Sequence, residues 1–145
     1  MNKILVFDDE ESIRIFYSHE LSEEGYEVIT SDDCSRLLKL IEEEKPDLII
    51  MDIRLGQYNG LDLLQDIRNT HFNLPVILCT AYPAFKGDLK SIAADYYLVK
   101  SSNLKELKYK ITLAFKGGVQ SLSAANQGEV YNTKPTPMEQ MGLNW

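Results

Sequence analysis

Five short apolar runs recur along the chain, at residues 3–7, 26–30, 47–51, 75–79 and 96–99. Runs of this length, nearly continuous in apolar side chains, read as strands buried on both faces of a parallel sheet. Between and after them, apolar residues return every three or four positions, the spacing of a helix with one buried face. The first helix starts near Glu11 and carries Ile13, Phe16, Tyr17 and Leu21, with Gly25 as a left-handed stop. The second, capped by Ser31 or Asp32 and opened by Cys34, buries Leu37, Leu38 and Ile41 and is stopped by Pro46. The third begins near Gly60 and buries Leu61, Leu64 and Ile67. A fourth, over residues 84–93, keeps Phe85, Leu89 and Ile92 on one face but holds Gly87 inside, which costs about 1 kcal/mol relative to Ala. A fifth, capped by Asn103, buries Leu104, Leu107, Ile111 and Phe115 and turns Tyr109 and Leu113 outward.

Strand and helix alternating five times predict an α/β fold: a doubly wound, five-stranded parallel sheet with helices on both faces and right-handed crossovers. Gly117 and Gly118 are expected to break the fifth helix. Residues 1–116 then form one domain and 117–145 a largely irregular tail, rich in Ser, Asn, Gln, Gly and Pro until the apolar cluster of Met138, Met141, Leu143 and Trp145.

Composition narrows the picture. The 145 residues are 44% hydrophobic and 26% charged, ordinary for a globular domain, with a formal net charge of -7. That balance argues against a basic nucleic-acid surface. No run is long enough to span a membrane, and Met1 leads straight into a strand, so a cytoplasmic protein is expected. Two cysteines, Cys34 and Cys79, do not suggest a disulfide framework, and Cys79 reads as a small buried apolar residue. His19 and His71 read as surface residues remote from the chemistry.

The chemistry lies at strand ends. Asp8 and Asp9 follow the first run, Asp52 the third, Thr80 the fourth and Lys100 the fifth. The carboxyl ends of parallel strands share one sheet edge, where ligands bind, so these five are expected to meet. Three carboxylates, a hydroxyl and an ammonium suit a hard cation and a phosphoryl group. Taken singly, Asp8 or Asp9 reads better as the cap of the next helix, Thr80 as a turn residue and Lys100 as a solvated strand end.

With these residues in place the chain resembles a response-regulator receiver domain, the CheY-like module of two-component signalling. The segments ILVFDDE, DLIIMDIRLG, NGLDLL, PVILCTAY and ADYYLVK carry the likeness, which runs from Lys3 to about Lys116. The resemblance implies a flavodoxin-like strand order 2-1-3-4-5. It implies that Asp52 is the phosphoacceptor, and that Asp9 and Asp52 ligate Mg²⁺ directly with Asp8 acting through water and the Arg54 carbonyl joining them. Thr80 would bind the phosphoryl group, Tyr97 would be the aromatic switch and Lys100 the cation that pairs with the phosphoryl oxygens. Partners implied are a histidine kinase or phosphotransfer protein and a downstream protein, with a homodimer through the fifth helix as a further expectation.

The chain departs from the family pattern in three places. Gly56 stands where proline is common, which suggests a looser 52–59 loop. Ser101 replaces the proline after the lysine, and the Thr80-to-Lys100 spacing is about two residues short. Two other readings compete. One is an interaction module that keeps the fold without being phosphorylated. The other is a flavodoxin-type cofactor binder, which needs a loop rich in glycine and hydroxyl groups after the first strand; the acidic 8–12 loop disfavours it because it would repel a phosphate without metal.

Overall fold

The computed structural model describes residues 2–81 and 94–127, with side chains through residue 117. Five parallel strands build the sheet: β1 (Lys3–Phe7), β2 (Glu27–Ser31), β3 (Leu48–Met51), β6 (Val76–Thr80) and β7 (Tyr96–Val99). Their order is β2-β1-β3-β6-β7, the expected doubly wound arrangement. Alternation of side chains across a strand splits the core in two. Leu5, Phe7, Ile49, Met51, Val76, Leu78 and Tyr97 pack against α2 (Leu37–Glu44) and α3 (Gly60–Thr70). Ile4, Val6, Leu48, Ile50, Ile77, Cys79, Tyr96 and Leu98 pack against α1 (Glu11–Glu23) and α4 (Lys105–Gln127). Both faces are covered, which is why these strands read as continuous apolar runs.

Several boundaries differ from expectation. The second helix is preceded by a 3₁₀ turn over Cys34–Arg36, and its cap is Asp33, whose carboxylate accepts the Ser35 N–H at 3.1 Å. Ser31 instead ends β2. The fifth predicted helix is α4, with Asn103 Oδ1 accepting the Lys105 N–H at 2.9 Å as expected. It does not stop at Gly117 and Gly118 but continues to Gln127. Two glycines lower helix propensity by about 1 kcal/mol each without forbidding the helix, and the strong formers on either side carry it through. Tyr109 on α4 is exposed, whereas Leu113 packs partly against the core and so does not face outward. The fourth helix read over residues 84–93 and the apolar cluster at 138–145 lie outside the described residues.

The 52–59 segment is not a loose loop. It folds as a hairpin of β4 (Arg54–Leu55) and β5 (Tyr58–Asn59), with Arg54 opposite Asn59 and Leu55 opposite Tyr58. Gly56 opens the two-residue turn at φ +64°, and Gln57 does not share the positive φ. Glycine at the first of two central positions suits a type II′ hairpin turn. Ile53 and Leu55 are buried beneath it.

Candidate functional site

The four strand ends do converge. Asp8 directly follows β1, Asp52 follows β3, Thr80 is the last residue of β6 and Lys100 follows β7. Backbone bonds fasten the edge: Asp52 N donates to Phe7 O at 3.2 Å and Lys100 N to Thr80 O at 2.6 Å. Asp8 and Asp52 are only 3% and 4% exposed, and Thr80 is fully buried. Charged side chains are rarely buried unless paired, and the pairing is explicit here. Lys100 Nζ lies 2.6 Å from Asp8 Oδ2 and 2.8 Å from Asp52 Oδ2. The Lys100–Ser101 bond is trans, as are the other peptide bonds among the described residues.

Two anions thus share one cation, and the protonation equilibria reflect it. Burial pushes the Asp8 carboxyl above its ordinary value, and the opposing hydrogen bonds from Lys100 and the Glu10 N–H do not cancel it. Burial also works against the Lys100 charge, but hydrogen bonds to Asp52 and Asp8 outweigh it and hold the ammonium above its ordinary value.

The remaining carboxylate oxygens meet backbone donors. Glu10 N donates to Asp8 Oδ1 at 2.9 Å in a turn just ahead of α1; Asp8 is not the helix cap, which is Glu10 without a side-chain cap bond. Arg54 N donates to Asp52 Oδ1 at 3.3 Å, and Gly56 N to Asp9 Oδ2 at 3.2 Å. Asp9 is exposed. The carboxylate oxygens of Asp8, Asp9 and Glu10 lie within 4.8 Å of one another. An all-oxygen donor set of this kind fits a hard divalent cation. Asp52, expected as a direct ligand, is not in that group; its Oδ2 pairs with Lys100, as does that of Asp8. Tyr97 is buried on the α2/α3 face, level with Leu78.

Glu10, Arg14 and Gly60 were not singled out from the sequence. Arg14 Nη1 donates to the Asp8 carbonyl at 2.6 Å, placing a second cation one turn into α1. Gly60 opens α3 against the backbone of Asp52 and Ile53, just past β3. A Cβ there would overlap the Asp52 carbonyl oxygen and fall 2.9 Å from Ile53 Cα. Asn59 Oδ1 caps the same helix by accepting the Leu61 N–H at 2.8 Å. The Asn–Gly pair before an apolar helical pattern was the available signal; the close approach itself needs the fold. Cys79 Sγ lies 3.2 Å from the Tyr17 hydroxyl, and burial pushes its thiol up to about 11, so thiolate chemistry is disfavoured. His19 is exposed on α1, while His71, at the far end of α3, is 3.0 Å from Glu42 and remote from the carboxylates.

The response regulator receiver domain model matches residues 4–112. The alkaline phosphatase synthesis transcriptional regulatory protein PhoP of Bacillus subtilis is 33% identical over 132 residues, covering 90% of this chain and 54% of its own length. This chain therefore spans about half the length of the curated relatives it matches. The response regulator TrrA of Thermotoga maritima, solved in complex with Mg²⁺–BeF, is 42% identical with a TM-score of 0.76, covering 79% of this chain and 99% of TrrA. TrrA solved in complex with the histidine kinase ThkA superposes with a TM-score of 0.74 at 41% identity, over 79% of this chain and 98% of that one.

Proposed function

This chain belongs to the response regulator receiver domain family, and on that premise we propose that it is a phosphoacceptor switch in which Asp52 takes a phosphoryl group from a histidine kinase or phosphotransfer protein. The observation that carries the reading is the Lys100 ammonium held between two buried carboxylates of different strands. Such a constellation is costly to maintain for structure alone, since buried charge is expensive even when paired. It is useful where charge must be rearranged.

Asp52 attacks the phosphorus through a carboxylate oxygen, and the bond to the donor nitrogen or oxygen breaks. Mg²⁺, when bound, neutralises charge between the carboxylate nucleophile and the phosphoryl oxygens. Asp8 and Asp9 would hold it, with Glu10 beside them. Lys100 then exchanges Asp52 for the phosphoryl oxygens, and the Thr80 hydroxyl, one strand away, supplies a neutral donor. Both adjustments act at the ends of β6 and β7, so movement would pass to Tyr97 on β7, the strand that Lys100 follows. The outer face of α1 beside the acidic edge carries exposed Ile15 and a groove of about 780 Å³ lined by Glu11, Arg14 and Ser18. That surface suits a protein donor, and TrrA, solved with a histidine kinase, supports the same class of partner.

The test is Mg²⁺-dependent labelling by acetyl phosphate, read as the mass gain of one phosphoryl group. Wild type should gain it and Asp52→Asn should not. Labelling of Asp52→Asn to the wild-type extent would overturn the assignment, and a wild type that never labels would favour a non-phosphorylated interaction module.

A further inference from the structure

The 54–59 hairpin touches the acidic cluster at one point: the Gly56 N–H donates to Asp9 Oδ2 at 3.2 Å. Three features make this contact depend on glycine. The backbone there is at φ +64°, in the left-handed region that other residues enter at a cost. The N–H is the first donor of a two-residue turn and points away from the hairpin's own ladder, whose pairs are Arg54–Asn59 and Leu55–Tyr58. Nothing lies within 4 Å of a Cβ built at Gly56, so space is not the reason for glycine; the conformation is. Proline, with φ fixed near −65° and no N–H, would supply neither requirement.

We propose that Gly56 is a positioning residue for the cation site: its N–H fixes the Asp9 carboxylate and so ties the hairpin that follows Asp52 to the acidic residues that follow β1. The inference rests on the metal-assisted reading above and deepens it. Asp8 and Asp52 are already held by Lys100 and by local N–H groups, through Glu10 N and Arg54 N. Among the described residues Asp9 pairs with no ammonium, and it is exposed, so the hairpin's N–H is what orients it. One carboxylate oxygen is occupied by that donor, which leaves the other turned for a cation. The hairpin begins two residues after Asp52, so ordering of Asp9 and ordering of the segment that carries the phosphoacceptor are one event. A cation drawn to Asp9 would stiffen the hairpin, and a loosened hairpin would weaken the cation.

The test uses the full chain, uniformly ¹⁵N-labelled, with Mg²⁺ as the ligand. In wild type, the Gly56 amide should shift on adding Mg²⁺ along with those of Asp8, Asp9 and Glu10. Asp9→Asn should displace the Gly56 amide in the absence of metal, which a purely structural turn glycine would not show. Gly56→Pro should raise the Mg²⁺ dissociation constant about fivefold, the scale of one lost hydrogen bond to a charged group discounted for exposure. Gly56→Asn, which keeps the N–H and tolerates the left-handed region, should stay within about twofold of wild type. A Gly56 amide indifferent to Asp9→Asn overturns the proposal even if Gly56→Pro misfolds. Equal Mg²⁺ affinity in folded Gly56→Pro and wild type overturns it while leaving the phosphoacceptor reading intact. Absence of Mg²⁺ binding to wild type would sink both.

Discussion

Replacing Lys100 with methionine removes the one ammonium that Asp8 and Asp52 share while keeping most of the side chain's volume. At separations near 2.7 Å and an effective dielectric of about 20, each contact is worth roughly 6 kcal/mol of gross attraction. Desolvation of three charges cancels most of that, so the intact cluster adds little net stability. Breaking it is another matter, because two carboxylates at 3% and 4% exposure are left uncompensated. Removal of one partner from a buried pair costs about 3–5 kcal/mol. With a urea dependence of about 2 kcal/mol per molar, the unfolding midpoint should fall by roughly 2 M at neutral pH. Stability of a domain this size, about 5–15 kcal/mol, leaves the variant folded in buffer. Urea titration followed by far-ultraviolet circular dichroism measures the shift. Adding Asp8→Asn to Lys100→Met should recover a large part of the loss, since it removes one of the stranded charges. Mg²⁺ should stabilise Lys100→Met more than wild type, because an external cation then meets no internal competitor. A midpoint drop below about 0.5 M with unchanged slope would refute the reasoning. It would mean that water already compensates the carboxylates and that Lys100 is not their counter-charge.

Gly60→Ala should lower the melting temperature and slow labelling of Asp52, because the added Cβ meets the Asp52 carbonyl oxygen; overpacking of this kind costs about 1–3 kcal/mol, and the gain expected from helix propensity alone would be the contrary result. Lys100 is raised above its ordinary 10.5, so its share of stability is fully present below that pH and is lost as pH rises through the higher folded value. Melting scans on the alkaline side should therefore fall more steeply for wild type than for Lys100→Met, and parallel curves would speak against the ion pairs.

The sheet and its edge were legible because parallel strands covered on both faces leave nearly unbroken apolar runs, and because Asp8, Asp52, Thr80 and Lys100 follow those runs at once. What escaped was local. The hairpin over residues 54–59 is too short for any periodicity to mark it, and Gly56 looked like slack when it is a turn residue. The end of α4 was misplaced because two adjacent glycines usually punctuate a helix, yet their cost is small against the turns on either side. Glu10 and Arg14 were missed for a different reason. Each belongs by spacing to the start of α1, and only the folded chain shows that its charge lies beside Asp8 and Asp9.

Arg68, near the end of α3, has a consequence for how freely this chain can vary. Its Nη2 lies 2.7 Å from Asp95 Oδ2, its Nη1 donates to the carbonyls of Phe72 and Leu74, and Asp95 Oδ2 also accepts the Val76 N–H at 2.8 Å. The start of β7 is thus pinned to α3 and β6 from below, while Lys100 N is fastened to Thr80 O above. Strand β7 is therefore held in register at both of its ends. Loss of Arg68 or Asp95 would free the start of the strand that carries Tyr97 and delivers Lys100, so two residues far from the acidic edge bear on its alignment.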